Sequence, residues 1–177
     1  MNNLNVLVFG AAGFIGTYLV DDLLSQGYAV VASDINDFGA EYYSKKGVRY
    51  APVDITKQES FATLNDRFDI VINLAACQPA NVSTERYDPN DYINVNVIGT
   101  LNILEFCRRT NASKFIYASS HRNTEGLWEP RKAIAETAGR SLKYSGEYAM
   151  FSISESAAQD CVFHYRAQYG LNGVVFR

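Results

Sequence analysis

Val6-Leu7-Val8-Phe9-Gly10-Ala11-Ala12-Gly13-Phe14-Ile15-Gly16 is the stretch that decides the fold. A short apolar run, suited to a strand buried on both faces, delivers the chain into glycines at 10, 13 and 16, and Asp34 follows eighteen positions after the last of them. Each glycine has its own physical role. Gly10 allows backbone angles closed to other residues, Gly13 lets the backbone come close to a pyrophosphate, and Gly16 lets the following helix pack against the strand. That helix, expected over residues 14–26, aims its free N-terminal amides and partial positive charge at phosphate oxygens. The whole turn, with Ala12, Phe14 and Ile15 between its glycines, is a candidate dinucleotide cradle.

Outward from this turn, strand-like and helix-like patterns alternate. Strands are expected at 5–9, 28–33, 48–53, 69–75, 114–118 and 172–176, with helices at 14–26, 57–65, 90–109 and 150–169 and a shorter one within 38–46. Such alternation builds β-α-β units and a parallel sheet, so the predicted class is α/β: a three-layer, Rossmann-type, doubly wound domain with strand order 3-2-1-4-5-6. In the 90–109 segment, Ile93, Val97, Leu101, Leu104 and Phe106 mark the expected inner face, and Arg108 and Arg109 suit a helix C-terminus. Residues 121–147 break the pattern as a long polar connection, in which a short helix is expected over 131–138.

Composition narrows the function classes. With 177 residues, 47% of them hydrophobic and 20% charged, the chain suits one globular domain spanning 1–177. A net charge of -3 with no basic stripe argues against a nucleic-acid partner, and no apolar run is long enough to span a membrane. Cys77, Cys107 and Cys161 lack metal-ligand spacing, so no metal site is expected and reduced thiols in a cytoplasmic protein are. The first strand starts too early to leave room for a signal peptide, and the sequons at Asn81-Val82-Ser83 and Asn111-Ala112-Ser113 read as chance matches.

Further along, Asp54-Ile55, Asn73-Leu74-Ala75-Ala76, Asn96-Val97-Ile98-Gly99-Thr100, Phe115-Ile116-Tyr117-Ala118-Ser119-Ser120 and Tyr169-Gly170-Leu171 follow the glycine turn in order. With them the chain resembles an extended short-chain dehydrogenase/reductase of the NAD-dependent epimerase/dehydratase family, over essentially its whole length. The resemblance implies NAD as cofactor and a nucleotide sugar as substrate. It implies that Asp34 accepts hydrogen bonds from the adenosine ribose and repels a 2′-phosphate, favouring NAD over NADP. It also implies that Asp54 and Ile55 flank the adenine, that Leu74, Ala75 and Ala76 leave room for the cofactor, and that Asn96 belongs to the same cofactor site. Ser120 aligns with the family hydroxyl that bonds the reacting substrate oxygen. A homodimer through the helices at 90–109 and 150–169 is the family expectation.

Two departures stand against that pattern. The family's tyrosine acts as acid/base, and a lysine four residues on lowers its pKa and holds the nicotinamide ribose. Counting back from Tyr169-Gly170-Leu171 places these positions at Phe151 and Glu155. Phe151 carries no exchangeable proton, and a carboxylate at 155 raises rather than lowers the pKa of a neighbouring phenol. Tyr148, one turn earlier, is a substitute acid/base without a lysine four residues after it. Weaker candidates are His121, a proton carrier beside Ser120 that reads as incidental, and Lys132 and Lys143, which could fold over the site from the long connection, while His164 reads as a surface or interface residue. The second departure is length: family members continue beyond the sixth strand into a region that builds much of the sugar-nucleotide pocket. The alternatives that follow are an active epimerase or dehydratase, and a catalytically silent NAD-binding module with a sensing or interaction role.

Overall fold

Strand β1 (Asn5–Phe9) explains the architecture by its burial. Val6, Leu7, Val8 and Phe9 are all fully buried, although successive side chains of a strand point to opposite faces, so both faces of the sheet must be covered. The computed structural model describes residues 4–81 and 87–177; the first sequon runs into the stretch between them and lies outside the described residues. The sheet has six strands, all paired in parallel, in the order β3-β2-β1-β4-β5-β6. The other strands are β2 (Ala29–Asp34), β3 (Arg49–Pro52), β4 (Ile70–Asn73), β5 (Lys114–Ala118) and β6 (Gly173–Phe176). This is the predicted order.

The two faces carry separate cores. Val6, Val8, Val30, Ala32 and Ile72 pack with Val20 of α1 (Phe14–Ser25) and Tyr43 of α2 (Phe38–Ser44). On the other face, Leu7, Phe9, Val71, Phe115 and Tyr117 pack with Ile103, Leu104 and Cys107 of α4 (Thr100–Thr110) and with Ala158 and Val162 of α5 (Ala149–Tyr169). Helices α1 and α2 therefore form one outer layer and α4 and α5 the other. Cys107 is core filler, its thiol pushed up by burial, and the cysteines are free.

Three expectations need correction. Residues Gln58–Thr63 form a 3-10 helix rather than an α-helix; here the chain needs only a short crossover that seats Phe61 in the core. The 90–109 segment is not one uniform helix: α3 (Pro89–Tyr92) leads into a π-helical stretch, Ile93–Gly99, before α4. That widened turn shifts the register, so the inner face ahead of Ile103 is Asn96, Gly99 and Thr100, whereas Ile93 is exposed and Val97 and Leu101 are not among the buried residues. Polar and small residues occupy that face because it stands behind the end of the sheet where polar backbone must be tied down. Thirdly, the long connection opens as a 3-10 helix, His121–Leu127, and continues through turns with no helix over 131–138.

Candidate cofactor site

At the carboxyl ends of the strands a cleft of about 680 Å³ opens, within the range of small-molecule sites. Its lining runs from Asp34, the last residue of β2, and Asp54, just beyond β3, across the glycine turn to Ala118, Ser119, Phe151 and Glu155 on the β5 side. Three strand spacings, roughly 14 Å, separate β2 from β5, a span suited to an extended dinucleotide rather than a single ring system.

The glycines divide the labour as their geometry demands. Gly10 has φ +75°, and a Cβ there would stand 2.6 Å from the Ala75 backbone nitrogen, so β1 and the end of β4 could not approach. A Cβ at Gly16 would strike Gly10 and Ala11, the contact that seats α1 on the strand. Gly13 is less crowded: a Cβ there meets only the Gly10 carbonyl oxygen, at 3.2 Å, which would have to give by a few tenths of an ångström. Its bare backbone instead lies on the cleft wall at the start of α1. Tyr43 braces the turn from below, its hydroxyl donating to the Ala11 carbonyl oxygen at 2.5 Å.

Asp34 closes β2 and reaches back to the turn. Its Oδ2 accepts from the Ala12 amide at 3.0 Å and its Oδ1 from the Asn36 amide at 3.1 Å. Each oxygen keeps a lone pair for a ligand hydroxyl. Burial works to raise the Asp54 pKa, but the Thr56 hydroxyl, the Lys57 ammonium at 3.1 Å and the Thr56 amide together hold it below the usual carboxylate range. Ile55 sits beside it, packed so closely on Gly99 that a Cβ there would meet its Cδ1 at 2.6 Å.

The far end of the cleft holds its most unusual group. Glu155 is 1% exposed and accepts a hydrogen bond from the Tyr117 hydroxyl at 3.0 Å through Oε2. Burial pushes its carboxyl up to about 7, against the lowering effect of the Tyr117 and Ser119 hydroxyls. Burial and the facing carboxylate push the Tyr117 phenol up, so it remains a donor. Ser119 Oγ itself accepts from Gln159 Nε2 at 2.7 Å and Asn123 Nδ2 at 3.1 Å. One turn before Glu155, Phe151 lines the cleft with a bare ring.

Of the residues expected in the cofactor site, Gly10, Ala12, Gly13, Phe14, Ile15, Gly16, Asp34, Asp54, Ile55, Leu74, Ala75 and Ala76 share this cleft with Phe151 and Glu155. Asn96, Ser120 and Tyr148 are not among its lining residues. Asn96 works behind it: Oδ1 accepts from the Cys77 amide at 2.7 Å, and Nδ2 donates to the Cys77 carbonyl and to Ser154 Oγ, fixing the loop after β4 to the π stretch and α5. Ser120 caps the 3-10 helix, its Oγ accepting from the Arg122 amide at 3.2 Å. Tyr148 is the residue immediately before α5, and its ring lies under the Arg122 guanidinium at 3.9 Å. Sequence reasoning missed Ser119, Ile35, Asn36, Val95 and Gln78 on the cleft wall. Ile35 and Asn36 were recoverable from their position directly after Asp34, and Ser119 from its place at the end of β5.

A parallel doubly wound sheet with a glycine cradle and an acidic residue at the end of β2 defines a dinucleotide-binding domain. The chain belongs to the NAD dependent epimerase/dehydratase family, whose model matches residues 6–177. Among curated relatives, UDP-glucuronic acid decarboxylase 6 of Arabidopsis thaliana is 28% identical over 171 residues, 96% of this chain and 48% of that one. Protein CapI of Staphylococcus aureus is 36% identical over 132 residues, 66% of this chain and 38% of its own. Among solved structures, the UDP-glucose 4-epimerase of Thermus thermophilus in complex with NAD superposes with a TM-score of 0.86 at 32% identity, over 98% of this chain and 54% of that one. This chain thus spans about half the length of the curated relatives it matches over its full extent.

Proposed function

We propose that this chain binds NAD across the carboxyl ends of its strands and presents it to a nucleotide sugar. The observation that carries the reading is the shared cleft: Gly13 at the start of α1, Asp34 at the end of β2 and the small Ala75 and Ala76 line one continuous wall. The residues fit the cofactor. The α1 amides and Gly13 would take the pyrophosphate, Asp34 the adenosine ribose, and Asp54 and Ile55 the adenine. When bound, the nicotinamide supplies reversible hydride exchange with a sugar carbon. The protein's own part is to orient the two rings and to handle the hydroxyl proton. The relatives named for UDP-sugar epimerases and decarboxylases support the substrate class. A single domain of residues 1–177, a cytoplasmic location and a homodimer through α4 and α5 belong to the same reading. No described helix is long and apolar enough to cross a membrane.

A second reading rests on Phe151 and Glu155. Phe151 has no proton to give or take, Ser120 is engaged as a cap, and Tyr148 is covered by Arg122, so the acid–base half of the family chemistry lacks its usual groups. On that reading the chain holds NAD as a silent module that senses the cofactor or supports a partner.

Calorimetric titration with NAD and NADP tests the first statement, with micromolar NAD binding and little NADP binding expected; binding of neither would remove it. Incubation of NAD-loaded protein with UDP-glucose, followed by NMR of the sugar, separates the two readings. Turnover by the parent chain favours the enzyme. Turnover appearing only in the Phe151→Tyr, Glu155→Lys double variant favours the silent module.

A further inference from the structure

In the family pattern a cation stands where this chain has Glu155, so the polarity of the cleft's far end is reversed. No lysine, arginine or histidine lines the cleft among the described residues, and its ionisable side chains are the carboxyls of Asp34, Asp54 and Glu155. The Lys57 ammonium is held by Asp54, and Arg122 is paired with Glu125 at 3.2 Å. Glu155 is itself almost fully buried, yet one edge of it lies on the cleft wall beside Ala118, Ser119 and Phe151.

Its neighbours are hydrogen-bond donors, not counter-ions. Tyr117 on β5 donates to Oε2. Ser119, at the end of β5, accepts from Gln159 and Asn123, which leaves its own proton free for an acceptor such as Glu155. The π stretch and α4 contribute Asn96 and Thr100 near this end, neither of which titrates, and Cys161 on α5 acts on Tyr117. Among the described residues, Tyr117 is therefore the titratable group that meets Glu155 directly. A carboxylate offers about four acceptor sites, and the Tyr117 and Ser119 hydroxyls use two, so acceptor capacity remains on a residue that lines the cleft.

We propose that Glu155 is the residue that meets the nicotinamide riboside, accepting hydrogen bonds from its ribose hydroxyls as a carboxylate, so that the cleft favours the oxidised, positively charged nicotinamide over the reduced, neutral one. This inference rests on the NAD-binding reading above. Two physical consequences follow. A carboxylate close to the ring attracts NAD⁺ but gains no such attraction from NADH, in a site where burial leaves charges weakly screened. Binding also requires the ionised form, so a carboxyl that titrates near neutrality links cofactor affinity to pH. A lysine in its place would oppose the positive ring.

The test is calorimetry of the parent chain, Glu155→Gln and Glu155→Lys with NAD⁺, NADH and ADP at pH 6 and pH 8. ADP, which lacks the nicotinamide half, reports whether each variant is folded with a working adenosine side. For the parent, NAD⁺ affinity is expected to weaken about tenfold from pH 8 to pH 6, as the fraction ionised falls around a midpoint near 7, while ADP affinity stays flat. In Glu155→Gln the pH dependence disappears. The preference for NAD⁺ over NADH at pH 8 is expected to shrink by about tenfold on neutralising the charge, and further in Glu155→Lys. NAD⁺ binding that is flat with pH and unchanged in Glu155→Gln would overturn the proposal and leave the NAD-binding reading intact. Failure of the parent to bind either NAD⁺ or ADP would remove that reading, and this inference with it.

Discussion

The Tyr117 hydroxyl donates to Glu155 Oε2 over 3.0 Å, joining residues 38 apart in sequence at the buried end of the cofactor cleft. Because the carboxyl is taken out of water with no cation beside it among the described residues, its ionisation is disfavoured, and it remains half-protonated at about pH 7.

That burial makes stability depend on pH with a defined sign. An unfolded glutamate ionises near its ordinary value of 4.5, whereas the folded protein keeps the proton to about 7. Between those values the folded state binds more protons than the unfolded one, so stability falls as pH rises through the window and stays lowered above it. The full effect is on the order of 3 kcal/mol. Glu155→Gln retains an acceptor for Tyr117 and should melt well above the parent at pH 8, with the gap closing at pH 5. Thermal melts of both proteins at the two pH values check this.

Gly10 and Gly13 should part company on substitution. Gly10→Ala forces a side chain into a left-handed backbone and against Ala75, and should cost at least about 2 kcal/mol, a drop of several degrees in Tm. Gly13→Ala meets only one carbonyl oxygen at 3.2 Å. It should lower Tm less than Gly10→Ala does while weakening NAD binding by about tenfold or more, since the methyl crowds the phosphate approach. Differential scanning calorimetry paired with NAD titration separates the two.

Asp34→Ala removes both the brace on the Ala12 amide and the ribose acceptor. Loss of charge-assisted hydrogen bonds of about 1.5–3 kcal/mol should lower NAD affinity by roughly tenfold to a hundredfold. Affinity for NADP should fall less, because the variant no longer repels a 2′-phosphate, so the NAD-to-NADP ratio measured by calorimetry should narrow.

The long connection after β5 is held by Arg122. Its guanidinium stacks over Tyr148 at 3.9 Å and Trp128 at 5.3 Å, and pairs with Glu125, which Lys143 also reaches at 3.2 Å. Arg122→Ala should cost about 1 kcal/mol and release both rings. Trp128 is the single tryptophan, so intrinsic fluorescence reads the change directly, as a red-shifted emission with the sheet's far-ultraviolet signal unaltered. Faster hydrogen exchange confined to 121–148 would accompany it.

The sheet was legible in the sequence because its evidence is local. Each strand is a short apolar run, each crossover lies between two of them, and parallel connections of one hand leave few ways to order them, so the six strands fall where the pattern puts them. The cradle was legible for the same reason: Gly10, Gly13, Gly16 and Asp34 report backbone demands within one β-α-β unit. Only the tertiary structure decided the rest. Asn96, in the π stretch, is bonded to Cys77 and Ser154 behind the cleft, and helical periodicity does not encode the change of register that the π stretch introduces. Ser119 rather than Ser120 lines the cleft because Ser120 is used to cap the helix that follows. The sequence by itself placed a carboxylate at 155, where the family resemblance implies a cation. That this carboxylate is buried, bonded to Tyr117 and without a counter-ion among the described residues is settled by packing of α5 against β5, because desolvation and charge pairing depend on neighbours distant in the chain.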